Sequence, residues 1–163
     1  MARFSTSGID DIIRDMRKMG ETSGDAAKAM LQAGAEEVKK AWKQAAEEHE
    51  LRDTGDMIAS IGFAREPKSI NDVLTIDIYP QGTDHKGVRN AEKAFVLHYG
   101  TSKLPATRWV DDADRYSEQY AIPAMEKAWD EFIETGRPPV VTLTPNNPSG
   151  KNKAATNAKK KRT

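Results

Sequence analysis

Five carboxylates and one imidazole crowd into ten positions of this chain: Glu47, Glu48, His49, Glu50, Asp53 and Asp56. Such a set could hold a divalent metal for hydrolysis. A hydrolytic zinc helix, however, uses the order His-Glu-x-x-His, which brings two imidazoles to one face. Here the order is Glu-Glu-His-Glu with a single imidazole, so the stretch reads as a solvated helix end and no metal is assigned. The competing reading, a small metal-dependent hydrolase, would require bound metal in the purified protein. His85, in Gly82-Thr83-Asp84-His85-Lys86-Gly87, has similarly weak company. His98 would need a nucleophile or carboxylate within hydrogen-bonding reach to serve as a base. Its alternate-face neighbours in an extended segment are Ala94 and Val96, which makes it structural.

Other chemistries fail earlier. No phosphate-cradling glycine loop, nucleophile elbow or dinucleotide fingerprint occurs. Cysteine is absent, which excludes disulfides, thiolate metal sites and a cysteine nucleophile. The sequence therefore assigns no catalytic residue and no cofactor.

The 163 residues suffice for one domain with a real core. A charged fraction of 31% and a mean hydropathy of -0.72 indicate long exposed helices or an unstructured segment. No stretch approaches the ~18 apolar residues of a membrane span, and the N-terminus lacks an unbroken apolar run. The expected location is the cytosol, or a particle assembled from it, with no membrane contact.

A net charge of zero conceals two unlike parts. Residues 137–163 carry seven Lys or Arg and no Asp or Glu; subtracted from 25 and 25, this leaves 18 basic and 25 acidic groups in residues 1–136. An acidic body thus carries a basic arm.

Periodicity supplies the elements meant to position these residues. Ile9, Ile12, Ile13, Met16 and Met19 predict a short helix capped at Ser7 and ended by Gly20. Ala27, Met30, Leu31, Val38 and Trp42 predict a second, longer one from about Gly24 to Leu51, with Thr22 or Ser23 as its cap. Its alanines, among them Ala26, Ala29, Ala33 and Ala35, would admit a close neighbour, within the subunit or across an interface. After a break at Asp53-Thr54-Gly55 come a strand through Ile61 and Phe63 and another over Asp72–Pro80, which would turn Leu74, Ile76 and Ile78 to the core. Glu66–Asn71 would close the hairpin between them. Gln81–Lys93 reads as a long polar loop, a mobile surface feature. A third strand is expected over Ala94–Tyr99, with Phe95, Leu97 and Tyr99 on one face. From Val110 to Glu134 the period is helical again, in two pieces that meet before Pro123. Trp42, Trp109 and Trp129 are core or interface aromatics.

The fold class that follows is α+β: long N-terminal helices and a C-terminal helix on a small, mainly antiparallel sheet of three to four strands. Residues 1–136 form an assembly domain. Residues 137–163 form a flexible basic arm, disordered alone, that orders on a neighbouring chain. Val140, Val141, Thr142, Leu143 and Thr144 are its one segment with strand character, suited to adding to another chain's sheet edge. Lys151, Lys153, Lys159, Lys160, Lys161 and Arg162 could contact phosphates or an acidic partner.

Two short motifs and their order carry a resemblance. Thr54, Gly55, Ile58, Ser60 and Ile61 are followed by Tyr99, Gly100, Thr101, Leu104, Pro105 and Ala106. The arrangement resembles the gene-product-ten-like tail-component family of the lambdoid bacteriophages, over about Ala26 to Ile133. His98 and the Arg108-Trp109-Val110 stretch depart from the family pattern. The resemblance implies a non-enzymatic structural role: a neck or tail-completion protein at the head–tail junction, in the virion after assembly in the host cytoplasm. It further implies a six- or twelve-fold homo-oligomeric ring through which DNA passes, with contacts to neighbouring neck, connector or tail-tube proteins. A nucleic-acid-binding accessory protein working through the basic tail is the alternative.

Overall fold

The computed structural model describes residues 7–51, 55–71 and 73–146. Their elements are α1 (Ser7–Glu48), α2 (Asp56–Ala59), β1 (Ile61–Phe63), β2 (Lys68–Ile70), β3 (Val73–Thr75), β4 (Ile78–Pro80), α3 (Asn90–Tyr99) and α4 (Trp109–Thr135). The class is α+β: two long helices, α1 and α4, pack on each other, and α1 also meets the inner pair of a small four-stranded antiparallel arrangement in two pairs.

Helix α1 is one uninterrupted helix of 42 residues where the sequence suggests two. The hydroxyls expected to cap a second helix turn backwards instead. Thr22 Oγ1 donates to the Lys18 and Met19 carbonyls at 3.1 and 3.3 Å, and Ser23 Oγ donates to the Gly20 carbonyl at 2.8 Å. Bonds to carbonyls three and four residues back belong to a helix interior, so no end forms there.

The small residues of α1 decide how α4 lies on it. Ala26, Ala29, Ala35, Ala41, Ala45 and Ala46 are buried. At Gly34 a Cβ would stand 2.8 Å from Met125 Cγ and Sδ, so Met125 fills the space a side chain would take. Helix α4 runs through Pro123 without a break. Proline withdraws one donor from the helix, but Pro123 and Gln119, whose carbonyl loses that bond, are both exposed, and water can serve the freed group. Packing along α1 keeps the two expected pieces as one.

The four strands form one interrupted hairpin. Ile61 pairs with Pro80 and Phe63 with Ile78; farther out, Lys68 pairs with Thr75 and Ile70 with Val73. Ile70 pairs with Val73, so the strands close beyond Ile70 and not across Glu66–Asn71, and Asn71 adopts φ 50, as two-residue hairpin loops require. Four residues, 64–67, face two, 76–77, at the interruption, so the single strand expected over Asp72–Pro80 divides in two. Leu74, expected in the core, is exposed, and Ile76 and Ile78 are half-buried.

Ala94–Tyr99 belongs to a helix and not to a third strand. Asn90, Ala94 and His98 are its buried residues, four apart. Six residues of alternation are too few to separate a period of 2 from one of 3.6.

Met57, Ile58, Ile61, Ala94, Trp109 and Ala113 form the core with Ala45 and Ala46 of α1. Trp109 meets the Trp42 ring edge-on at 5.3 Å between centroids. Trp129 is 39% exposed and so lies outside this core. No described helix is long and apolar enough to cross a membrane.

Candidate assembly surfaces

The clustered acids around His49 disperse once folded. Glu48 accepts hydrogen bonds from Gln44 and Tyr116, which hold its carboxyl below the usual range; the shared bond raises the Tyr116 phenol in turn. His49 Nε2 meets Asp112 Oδ2 at 2.7 Å, whereas Asp56 Oδ2 meets His85 Nδ1 at 3.0 Å. Asp53 lies outside the described residues. Among the described residues no three His, Cys, Asp or Glu converge on a metal position.

His98 is 6% exposed and joins α3 to α4. The Val110 N–H donates to its Nδ1 at 3.3 Å, which leaves the ring proton on Nε2, 3.7 Å from Asp111 Oδ1. Its carbonyl accepts from the Arg108 N–H at 3.2 Å. Both partners come from the start of α4, so the histidine acts as a joint.

The two family motifs flank the same core. In the first, Gly55 precedes α2 with φ 77, Ile58 and Ile61 are core residues, and Ser60 is fully buried, its Oγ donating to the Met57 carbonyl at 2.7 Å. Thr54 lies outside the described residues. In the second, Tyr99 ends α3 and Gly100 has φ 74 and ψ -176, a conformation essentially confined to glycine. A Cβ there would lie 2.6 Å from the Ala106 nitrogen and the Leu104 carbonyl oxygen. The chain doubles back over Gly100: Thr101 Oγ1 accepts from the Leu104 N–H at 3.1 Å, and the Thr107 hydroxyl and N–H both donate to the Leu97 carbonyl. Leu104, Pro105 and Ala106 are exposed on this return.

The loop after β4 is knotted by Asp84, which is 6% exposed. Its Oδ1 accepts from the Lys86 and Val88 N–H groups at 2.8 Å each, and its Oδ2 is ion-paired with Lys93. Lys93 first, then the two N–H groups, lower its carboxyl to about 2. In place of an open polar loop, the chain makes a tied turn that leads into α3.

Among the described residues, three apolar surfaces stand uncovered. Ile70, Val73 and Leu74 stand at the hairpin tip. Phe95, Val96 and Tyr99 lie outward on α3, and Phe95 and Tyr99, with Trp42, Tyr79 and Val110, bound a shallow cavity of about 250 Å³. Ile122, Trp129 and Ile133 form a stripe along α4. The hydrophobic residues of Ala94–Tyr99, read as a strand face, are thus largely this outward patch. A helical assignment from Asn90 onward would have revealed it.

Residues 137–146 lie against their own chain. Among the described residues Val140–Thr144 pairs with no strand; Val141 and Leu143 are half-buried and Val140 is exposed. Lys151, Lys153, Lys159, Lys160, Lys161 and Arg162 lie outside the described residues.

The family model described as "Bacteriophage HK97-gp10, putative tail-component" matches residues 10–96, just over half of the chain. The chain belongs to this family. It is a tail-component protein of bacteriophages, a structural part of the virion. The matched span takes in nearly all of α1, then α2, the hairpin and most of α3, including Gly55 to Ile61; Tyr99 to Ala106 follow it. A search of curated proteins and of solved structures finds no match.

Proposed function

We propose that this tail component works at the head–tail junction, as a neck or tail-completion ring through which DNA passes. The observation that carries the reading is a pair of unlike apolar surfaces on one chain, the β2–β3 tip and the outer face of α3. Large exposed apolar patches mark interaction sites. Two unlike patches suit a head-to-tail contact, and such contacts close into rings when the rotation permits. The tip of one copy against the α3 cavity of the next would supply it, in a six- or twelve-fold ring that also touches connector or tail-tube neighbours. An acidic body would line a DNA channel without gripping its cargo, and the basic end of the arm would touch DNA without sequence preference.

The test is electron microscopy of particles assembled without the protein. Filled heads beside unjoined tails are expected; normal infectious virions would reject the junction role. The charge of residues 137–163 favours a second reading, a nucleic-acid-binding accessory protein. A salt-dependent gel shift that vanishes on deletion of those residues would favour it.

A further inference from the structure

Glu36 and Lys39 sit one turn apart on α1 with side chains 7% and 3% exposed, ion-paired at 2.9 Å. A buried pair holds its place only if its remaining donors and acceptors are satisfied. A single residue of the arm satisfies them. The Thr144 N–H donates to Glu36 Oε1 at 3.0 Å, its hydroxyl donates to Glu36 Oε2 at 2.8 Å, and its carbonyl accepts from Lys39 Nζ at 3.0 Å. Two residues on, the Asn146 amide donates to the Phe63 carbonyl on β1, and its side chain occupies the space above Gly62. A Cβ on Gly62 would stand 2.6 Å from Asn146 Oδ1. Clasp and cradle together form a receptor for extended chain, reading main-chain groups, one hydroxyl and one amide.

Nothing in that receptor depends on which copy supplies the arm. The arm leaves α4 at Gly136, the left-handed cap whose φ of 64 turns the chain off the helix, and Pro138 and Pro139 then keep it extended. On its own body it leaves Val140 95% exposed. The α4 stripe of Ile122, Trp129 and Ile133 ends beside the same turn. A helix of a second copy packed there would lie about 8–10 Å away, and ten extended residues reach about 30 Å. Exchange of an identical element is a low-cost route to association.

We infer that in the assembled protein the Glu36–Lys39 clasp and the Gly62 cradle hold residues 140–146 of a neighbouring copy. This rests on the ring reading above. It makes the arm a strap between subunits, closed by contacts each chain already contains.

The chain has no cysteine, so a reporter disulfide is unambiguous. A Cβ at position 62 would lie 3.3 Å from the Asn146 Cβ, close to the about 3.5–4.5 Å of a disulfide. Full-length Gly62→Cys chains and Asn146→Cys chains, separately tagged, are mixed, assembled and oxidised. Covalent heterodimers in the assembled fraction are expected. The double variant, oxidised as a monomer so that each arm is locked to its own body, is expected to lose assembly until reductant is added. Full assembly of locked chains, or assembled single variants with no heterodimer, overturns the exchange. Rings counted by microscopy in that outcome would leave the junction reading standing, whereas joined particles formed without the protein would reject that reading itself.

Discussion

Trp109, Ile58 and Ile61 are closed off from water by α1, α2 and α3, whereas Ile70, Val73 and Leu74 of the β2–β3 hairpin stand in it. The first group stabilises the isolated chain, since burial of apolar surface contributes about 25 cal/mol per Å². The second contributes almost nothing until another surface covers it. Folding and the proposed assembly therefore draw on different residues, and substitutions can separate them.

The largest separation is expected at Trp109. Trp109→Ala should cost about 3–5 kcal/mol of folding stability, measured by chemical denaturation. A loss below about 1 kcal/mol would mean that the core is not organised around this ring. Gly100→Ala follows, at about 1–3 kcal/mol, because the backbone conformation is strained for any side chain and the added carbon meets main-chain atoms that cannot move independently. Unchanged stability would contradict the tight return over Gly100.

Asp84 sharpens the comparison locally. Its carboxyl is depressed to about 2 from an ordinary value near 3.8, so the ionised form is favoured by folding. That contribution is complete above about pH 4 and disappears as the pH falls from there to about 2. The Lys86 and Val88 amide resonances should report a midpoint near pH 2; a midpoint near 4 would show that Lys93 and the loop N–H groups do not hold the carboxylate. The smallest expected change in folding is at the tip. Val73→Ser with Leu74→Ser should alter monomer stability by no more than about 0.5 kcal/mol, yet reduce self-association measured by sedimentation. Undiminished association would remove the tip from the interface.

How much of this was legible depends on the length of each signal. The α+β class and a strand through Ile61 and Phe63 could be read from periodicity, whereas Trp109 stayed open between core and interface until the fold enclosed it. The continuity of α1 could not, because Thr22 and Ser23 are equally suited to cap a helix or to bond back within one. Six alternating residues at Ala94–Tyr99 gave no length over which a helical period could declare itself. Pro123 marks a break by local rules, and its tolerance depends on α1 lying alongside. The buried Glu36–Lys39 pair looks in sequence like any surface ion pair three residues apart. Only the arm, arriving from 105 to 108 positions away, distinguishes it.

The interruption of the hairpin has a consequence for how such a tip can vary. Between the inner and outer pairings the register slips by two residues, and an even slip returns every side chain to the face it would otherwise have had. The joint can therefore alter the angle and reach of the tip without exchanging its two faces. Changes of length that arrive in pairs would keep Ile70 and Val73 on the face they now occupy and Leu74 on the other, and a change of one would exchange the two faces.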